Sequence, residues 1–145
     1  MSLATLDDII VTSIDRISVE GGDVLHVMKK SSLGFKDYGE AYFSLIQRNK
    51  IKAWKMHKLM TLNLVVPIGD VRIVFVSNDK ENKYRVEDIG ESRYVRLTVP
   101  PGIWFGFKGK SAKNSMILNI ANIEHDKSEV LKKPISAFSY DWRNK

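Results

Sequence analysis

Hydrophobic and polar positions repeat along much of the chain with the two-residue period of β-strands. Residues 94–99 alternate cleanly, which predicts a strand with one exposed face. Residues 63–66, 71–76 and 116–123 are short runs rich in Val, Ile and Leu, as in buried strands. Turn signals punctuate the chain at Gly21-Gly22, Pro67-Ile68-Gly69-Asp70, Ser77-Asn78-Asp79, Ile89-Gly90 and Pro100-Pro101-Gly102. Many short strands separated by such turns predict an all-β sandwich or barrel.

The C-terminal region departs from this strand pattern. Residues 126–133 are predicted to form a short helix, with Asp126 as its N-terminal cap and Pro134 ending it. The residues that follow, 135–142, carry three large aromatic side chains. We expect this aromatic segment to dock on the domain, because large aromatic side chains are usually buried.

Length and composition narrow the class of protein. A chain of 145 residues fits a single domain, residues 1–145, and 43% hydrophobic with 28% charged residues is typical of a globular protein. The absence of cysteine excludes disulfides, thiolate zinc sites and cysteine nucleophiles. The apolar runs are too short to span a bilayer, and the amino terminus lacks the apolar core of a signal peptide. We therefore expect a cytoplasmic protein without membrane contact.

The distribution of charge points to an anionic partner. The chain has 23 Lys and Arg against 17 Asp and Glu, a net charge of +6. No acidic residue occurs in residues 41–69, which include Arg48, Lys50, Lys52, Lys55 and Lys58. The net charge alone would permit a nucleic-acid partner, but its concentration in one segment is better explained by a small anionic ligand.

Residues 50–58 contain the most reactive combination of side chains in the sequence. If this segment is a strand, Lys55 and His57 project from one face, while Lys52, Trp54 and Met56 project from the other. A neighbouring cation favours the neutral form of an imidazole, which suits a general base. The alternative is an exposed basic edge strand whose lysines discourage aggregation.

The turn Pro100-Pro101-Gly102 is followed by a second group of candidate residues. Two prolines and a glycine fix a tight turn that leads aromatic side chains into the next strand. Trp104 and Phe105 are candidates for a wall that stacks on a sugar or base ring. An aromatic core at the start of an ordinary strand is the alternative.

The basic segment, a strand ending at Gly69 and the proline turn, in this order, resemble the cupins that act on nucleotide-activated 4-keto sugars. The matching segments are Lys52-Ala53-Trp54-Lys55-Met56-His57 and Val99-Pro100-Pro101-Gly102. The resemblance covers roughly residues 40–125 and includes two branches, the dTDP-4-dehydrorhamnose 3,5-epimerases and the dTDP-sugar 3,4-ketoisomerases. It implies a cupin jelly roll, or double-stranded β-helix, here with the short C-terminal helix. It also implies a homodimer, with residues 1–35 as the candidate for an arm exchanged between subunits.

The resemblance assigns roles to residues of the basic segment. The ketoisomerase signature Arg-Gly-x-His-x-His, laid over this segment without gaps, places Lys52 at the arginine, Lys55 at the first histidine and His57 at the second. It thus implies that His57 is the proton-transfer base and Lys55 its partner or a stabiliser of the enolate. Against the 3,5-epimerase pattern Arg-Gly-Leu-His, Lys55 replaces the catalytic histidine, and the tyrosine acid is replaced near Leu118. A lysine with a depressed pKa can nevertheless abstract a proton.

Further site residues follow from the same resemblance. Residues 40–44 match a strand with polar residues that contact the sugar, so Tyr42 is a candidate acid and Ser44 a substrate contact. A tyrosine packed at a strand face with its hydroxyl in water is the alternative. The remaining predicted substrate contacts are Lys52 and Arg72 for the diphosphate, Trp104 and Phe105 for a ring, and Asn119.

The sequence argues against a catalytic metal. Metal-dependent cupins use His-x-His, a following Glu and a later His after the proline turn. In this chain those positions leave His57 as the only ligand, with Lys55 and Phe105 at two of the others. We therefore predict no metal and no other cofactor.

The function predicted from the resemblance is metal-free proton abstraction α to the ketone of a nucleotide-activated 4-keto deoxysugar, as in an epimerase or isomerase. The reaction needs one base, one acid and stabilisation of the enolate. A cupin that binds a nucleotide sugar or another anion without catalysis is the alternative. Nucleic-acid binding, supported only by charge and aromatic content, is not expected.

Overall fold

The computed structural model describes residues 3–143, which form β-strands joined by turns and three single-turn 3₁₀ helices. The strands are β1 (Ile10–Ser13), β2 (Arg16–Ile17), β3 (Val24–Leu25), β4 (Glu40–Ile46), β5 (Ile51–His57), β6 (Leu62–Ile68), β7 (Asp70–Val76), β8 (Tyr84–Gly90), β9 (Val95–Val99), β10 (Trp104–Gly109), β11 (Ser115–Ala121) and β12 (Val130–Lys132). The 3₁₀ helices are Leu6–Asp8, Lys127–Glu129 and Ile135–Ala137. The predicted strands at residues 63–66 and 71–76 lie in β6 and β7, and the basic segment forms β5. The strand predicted at residues 116–123 is β11, which begins one residue earlier and ends at Ala121.

Two five-stranded antiparallel sheets build the domain. The first has the order β1-β9-β6-β11-β4 and the second the order β12-β5-β10-β7-β8. From β4 to β7, and again from β8 to β12, successive strands alternate between the two sheets, as in a jelly roll. Leu64 and Leu97 of the first sheet share one buried cluster with Ile73 and Phe75 of the second. The predicted all-β cupin jelly roll is confirmed.

A second apolar cluster covers the outer face of the second sheet. Trp54, Trp104, Phe138 and Trp142 are buried there. The ring of Trp54 lies 5.3 Å from the ring of Phe138 and 5.3 Å from that of Trp142, and its indole N–H donates to the Ile135 carbonyl. The C-terminal aromatic segment is therefore docked, as the sequence predicts.

The prediction that β9 has one exposed face is wrong. Arg96, which the alternation assigns to the solvent side, is 1% exposed. Its guanidinium donates hydrogen bonds to the carbonyls of Val27 and Leu33, both at 2.8 Å. The Thr98 hydroxyl donates to Asn63 Oδ1 at 2.6 Å. The chain after β3 thus covers this face, and its carbonyl groups accept from the polar side chains that it buries.

The predicted C-terminal helix over residues 126–133 is also wrong. The Asp126 side chain does cap a turn, since it accepts from the Ser128 N–H, but the turn is only the 3₁₀ helix Lys127–Glu129. The next three residues form β12, which pairs antiparallel with β5. Pairing with the free edge of a sheet satisfies their backbone groups without a helix. No helix in residues 3–143 is long and apolar enough to cross a membrane.

Candidate active site

A cavity of about 460 Å³ lies against the inner faces of β4, β5, β6, β10 and β11 and is bounded by residues 125–132. It gathers six of the residues predicted as site residues from the sequence: Tyr42, Ser44, Lys55, His57, Phe105 and Asn119. Their side chains meet because each lies on the cavity face of its strand.

His57, at the end of β5, forms a hydrogen-bonded pair with Glu129. The imidazole Nδ1 lies 2.9 Å from Glu129 Oε2 and 3.2 Å from Oε1. A carboxylate only accepts hydrogen bonds, so the ring proton resides on Nδ1, and Nε2 of the neutral imidazole carries the free lone pair. Phe105 stacks nearly parallel to the ring, with centroids 6.1 Å apart. The pair therefore fixes both the tautomer and the plane of a histidine in the cavity wall.

Backbone contacts hold the two members of this pair. Glu129 is 2% exposed, and its Oε1 accepts from the Met60 N–H at 3.0 Å. The Glu129 carbonyl accepts from the Lys58 N–H at 2.8 Å, and the His57 carbonyl accepts from the Gly102 N–H at 2.8 Å. The proline turn that the sequence singles out thus supports the backbone of His57.

A β-bulge in β5 changes the face on which Lys52 lies. Lys55 is opposite Phe105 on β10, but Ala53 is opposite Gly106 and Lys52 opposite Phe107, so Trp54 is an extra residue. Cross-strand partners share a face, and Phe105 and Phe107 both line the cavity. Lys52 therefore shares the face of Lys55, and the prediction that the two lie on opposite faces is wrong.

A cationic extension adjoins the main cavity. This second cavity, of about 370 Å³, shares Ser44, Lys55, Phe107 and Lys132 with the first and adds Lys52 and Lys133. We call it the lysine annex. Partial burial, followed by the charges of Lys132 and Lys52, lowers the pKa of Lys55 below its ordinary value. No carboxylate lines the annex in the part of the chain that the structure describes.

Tyr42 and Asn119 face each other across β4 and β11. The Asn119 side-chain N–H donates to the Tyr42 hydroxyl oxygen at 3.1 Å. Asn119 is 2% exposed, whereas Tyr42 is 40% exposed and lines the cavity. The phenol thus reaches the cavity, and its oxygen already accepts a hydrogen bond from within the protein.

Three residues highlighted by the sequence lie away from the cavity. Arg72, on β7, makes a bidentate contact with Asp88 at 2.8 and 2.9 Å. Trp104 is buried in the outer aromatic cluster. The cavity positions of β11 are Ile117 and Asn119, so Leu118 points to the opposite face and does not occupy the place of an acid in the cavity. The structure does not bring Arg72 or Trp104 to the other predicted site residues.

The structure adds cavity residues that the sequence analysis missed. Glu129, which contacts His57, and the cavity-lining residues Lys127 and Lys132 belong to the segment that the sequence predicts as a helix, and the cavity-lining His125 directly precedes it. In β12, Val130 and Lys132 share a face, as alternate residues of a strand do. Three residues are too few for this alternation to be recognised within a segment that has the features of a helix. The one local pattern that involves Glu129 is the capping residue Asp126 three positions earlier, and this pattern indicates the start of a helix instead of a cavity residue.

The residues present do not fit the metal of metal-dependent cupins. His57 Nδ1 contacts Glu129, and the adjoining positions are Lys55 and Phe105. In residues 3–143 no three His, Asp or Glu side chains come close enough together to hold an ion.

The fold and the cavity define a cupin jelly roll with a carboxylate-oriented histidine and a cationic annex. No protein-family model matches the chain, and no curated protein sequence matches it; the similarity is with solved structures. A dTDP-sugar isomerase from Desulfovibrio desulfuricans G20 is 28% identical, with a TM-score of 0.90 over 96% of this chain and 93% of that chain.

More distant structures share the fold. A sugar 3,4-ketoisomerase from Thermoanaerobacterium thermosaccharolyticum in complex with TDP is 15% identical, with a TM-score of 0.74 over 88% of this chain and 90% of that chain. A dTDP-4-dehydrorhamnose 3,5-epimerase from Sulfolobus tokodaii is 18% identical, with a TM-score of 0.76 over 91% of this chain and 80% of that chain. Both predicted branches are thus among the structural neighbours, and the predicted resemblance is confirmed.

Proposed function

We propose that this chain is an epimerase or isomerase of a nucleotide-activated 4-keto deoxysugar that works by proton transfer α to the ketone. The observation that carries the proposal is the His57–Glu129 pair, with 2.9 Å between Nδ1 and Oε2, in the wall of a cavity that also holds Lys55 and Tyr42. One base, one acid and one cation in the same cavity are what enolisation of a ketone requires.

In the proposed reaction, Nε2 of His57 takes the proton from the carbon next to the ketone. The electron pair of that C–H bond moves to the ketone oxygen, where the Tyr42 hydroxyl donates and the Lys55 ammonium offsets the developing charge. Return of a proton to the opposite face of the same carbon gives an epimer. Return of the proton to the former ketone carbon leaves a hydroxyl there. The hydroxyl on the carbon that first lost its proton is then deprotonated and becomes the new ketone.

The lysine annex would hold the diphosphate of the substrate. Lys52 and Lys132 lie on the same face as Lys55, and a diphosphate has two charges to match these two lysines. Lys55, which lines both cavities, remains available to the ketone oxygen. Arg72, which is paired with Asp88 away from the cavity, is not needed for this role. The sugar would then occupy the main cavity beside His57, with Phe105 along one side.

The test is incubation of the chain with several 4-keto sugar nucleotides in deuterated water, with the labelled ring positions identified by NMR. Label at C3 and C5 identifies a 3,5-epimerase, and label at C4 with the keto group moved to C3 identifies a 3,4-ketoisomerase. The variant His57→Asn should abolish exchange, whereas His26→Asn, at an exposed histidine, should not. No exchange by the wild-type chain with any of these substrates would instead indicate a non-catalytic binding protein.

We also propose that two copies of the chain associate through the outer face of β4 and β11. Phe43 and Leu45 on β4 are 60% and 51% exposed, and they pair with Leu118 and Met116 on β11. An exposed apolar face of this kind is typical of a subunit interface. In the single chain, β1 pairs with β9. Exchange of residues 1–35 between subunits remains a prediction. The cytoplasmic location of the protein also remains a prediction.

A further inference from the structure

The contact between Tyr42 and Asn119 has a defined hydrogen-bond polarity. Asn119 Oδ1 lies 3.1 Å from the backbone nitrogen of Asn63. A backbone N–H can only donate, so the oxygen of the Asn119 amide must face Asn63 and its nitrogen must face Tyr42. The Tyr42 oxygen, 3.1 Å from Asn119 Nδ2, is consequently an acceptor in this contact.

The polar network behind Asn119 keeps the amide in this orientation. Asn63, which supplies the fixed backbone donor, accepts from the Thr98 hydroxyl through Oδ1 and donates to the Gly34 carbonyl through Nδ2. Asn119 Nδ2 also lies 3.9 Å from Met60 Sδ. Every polar atom of the Asn119 side chain therefore has a partner within the protein, and the side chain is 2% exposed. Little of Asn119 remains for contact with a substrate.

We propose that Asn119 is a positioning residue that makes Tyr42 a hydrogen-bond donor towards the cavity. This inference rests on the proposed function. The phenol has one proton, and the amide N–H occupies the oxygen on the side of Asn119, so the hydroxyl proton points away from Asn119 and into the cavity. A ketone oxygen, or the enolate that forms from it, can accept this proton. The sequence-based role of Asn119 as a substrate contact is thereby replaced by action through Tyr42.

A neutron structure of the wild-type chain in deuterated solvent tests the polarity without any assay. We expect deuterons on Asn119 Nδ2 directed at the Tyr42 oxygen and the phenol deuteron directed into the cavity. A phenol deuteron lying on the line between Tyr42 and Asn119 would overturn the proposal. The deuteron positions do not depend on the reaction. They therefore show whether Tyr42 donates into the cavity even if the wild-type chain exchanges no deuterium with substrate and the proposed function fails.

The near-isosteric variant Asn119→Asp tests the consequence for catalysis. An ionised carboxylate still accepts from the Asn63 N–H but now also accepts from Tyr42, which turns the phenol proton away from the cavity. We expect kcat for deuterium exchange to fall about 100-fold, with KM nearly unchanged. A protonated carboxyl can again donate to Tyr42, so the ratio of variant to wild-type kcat should rise as the pH is lowered.

Two controls separate this effect from a loss of structure. Asn122, whose Oδ1 accepts from the Thr61 N–H at 2.7 Å, provides the matched variant Asn122→Asp, for which we expect no such pH-dependent ratio. In a Tyr42→Phe background, Asn119→Asp should have little further effect, because the group through which it acts is absent. A ratio of Asn119→Asp to wild-type kcat that does not change with pH would contradict the proposal. So would a decrease in kcat that is as large in the Tyr42→Phe background as in the wild-type background.

Discussion

Glu129 Oε2 lies 2.9 Å from His57 Nδ1, although 72 residues separate the two in the chain. Both side chains are buried, and Glu129 comes from the turn that leads into β12. A carboxylate in this position keeps Nδ1 of the imidazole protonated and fixes the direction of Nε2, as carboxylates paired with a histidine do in other proton-transfer sites.

Glu129→Gln should therefore reduce exchange of the substrate's α proton by about 100-fold or more, since the amide can hold the wrong tautomer of His57. Deuterium incorporation from solvent measures the effect. The control is Glu124→Gln, at an exposed position in the preceding loop, which should exchange at the wild-type rate. Wild-type exchange by a folded Glu129→Gln protein would show that the carboxylate does not orient the base.

Lys132→Gln should make Lys55 less reactive towards acetic anhydride. Lys132 is opposite Lys55 across β5 and β12, and its charge is one of the causes that lower the pKa of Lys55. Loss of that charge raises the pKa of Lys55, so a smaller fraction of Lys55 is the free amine at a given pH. We expect the acetylation rate of Lys55 to decrease roughly two- to tenfold. Peptide mapping by mass spectrometry gives the rate. Lys127→Gln, in the same cavity wall, is the control, and an equal decrease there would argue against a specific effect of Lys132.

Asp88→Asn should show a pH-dependent loss of stability. Hydrogen bonding to Arg72 lowers the pKa of Asp88 below its ordinary value of 3.8. The stabilisation is therefore present above that value and is lost as the pH falls through the lower pKa of the folded state. Asp88 is 46% exposed, so we expect a difference below about 1 kcal/mol at neutral pH. Urea unfolding at several pH values measures it, and a difference that persisted at the acid end would contradict this explanation.

Phe43→Asp should shift the chain from dimer to monomer. A carboxylate in the middle of the outer face of β4 and β11 would be buried without a partner in the proposed interface. Size-exclusion chromatography with light scattering gives the mass. Val86→Asp is the matched control, because Val86 is 40% exposed on β8, the edge strand of the other sheet. A wild-type chain that is monomeric at high concentration would refute the interface.

The sequence predicts those parts of the structure that depend on local patterns. The period of two, the proline turn and the basic segment indicate the jelly roll and place Lys55 and His57 on one face of a strand. The face of Lys52 is not predictable in this way, because the extra residue at Trp54 is set by pairing with Gly106 and Phe107. Alternation in β9 likewise cannot reveal that a distant loop covers Arg96.

The contact between Glu129 and His57 is also beyond local patterns, because its two residues meet only through the pairing of β12 with β5. Arg72 and Trp104 show the converse limit. Both residue types suit a nucleotide-sugar site, but Arg72 forms an ion pair with Asp88 and Trp104 is buried in the outer aromatic cluster. Residue type alone does not distinguish a ligand contact from a contact within the protein.

The late position of Glu129 has a consequence for how the site forms. During synthesis β5 is complete long before residue 129 leaves the ribosome, so His57 lacks its carboxylate partner until most of the chain exists. Contacts between distant segments also carry a larger loop-closure entropy and favour slow folding. The strands of both sheets can therefore begin to pair before the site is complete, and a chain stalled before residue 129 would have the basic strand without an oriented base.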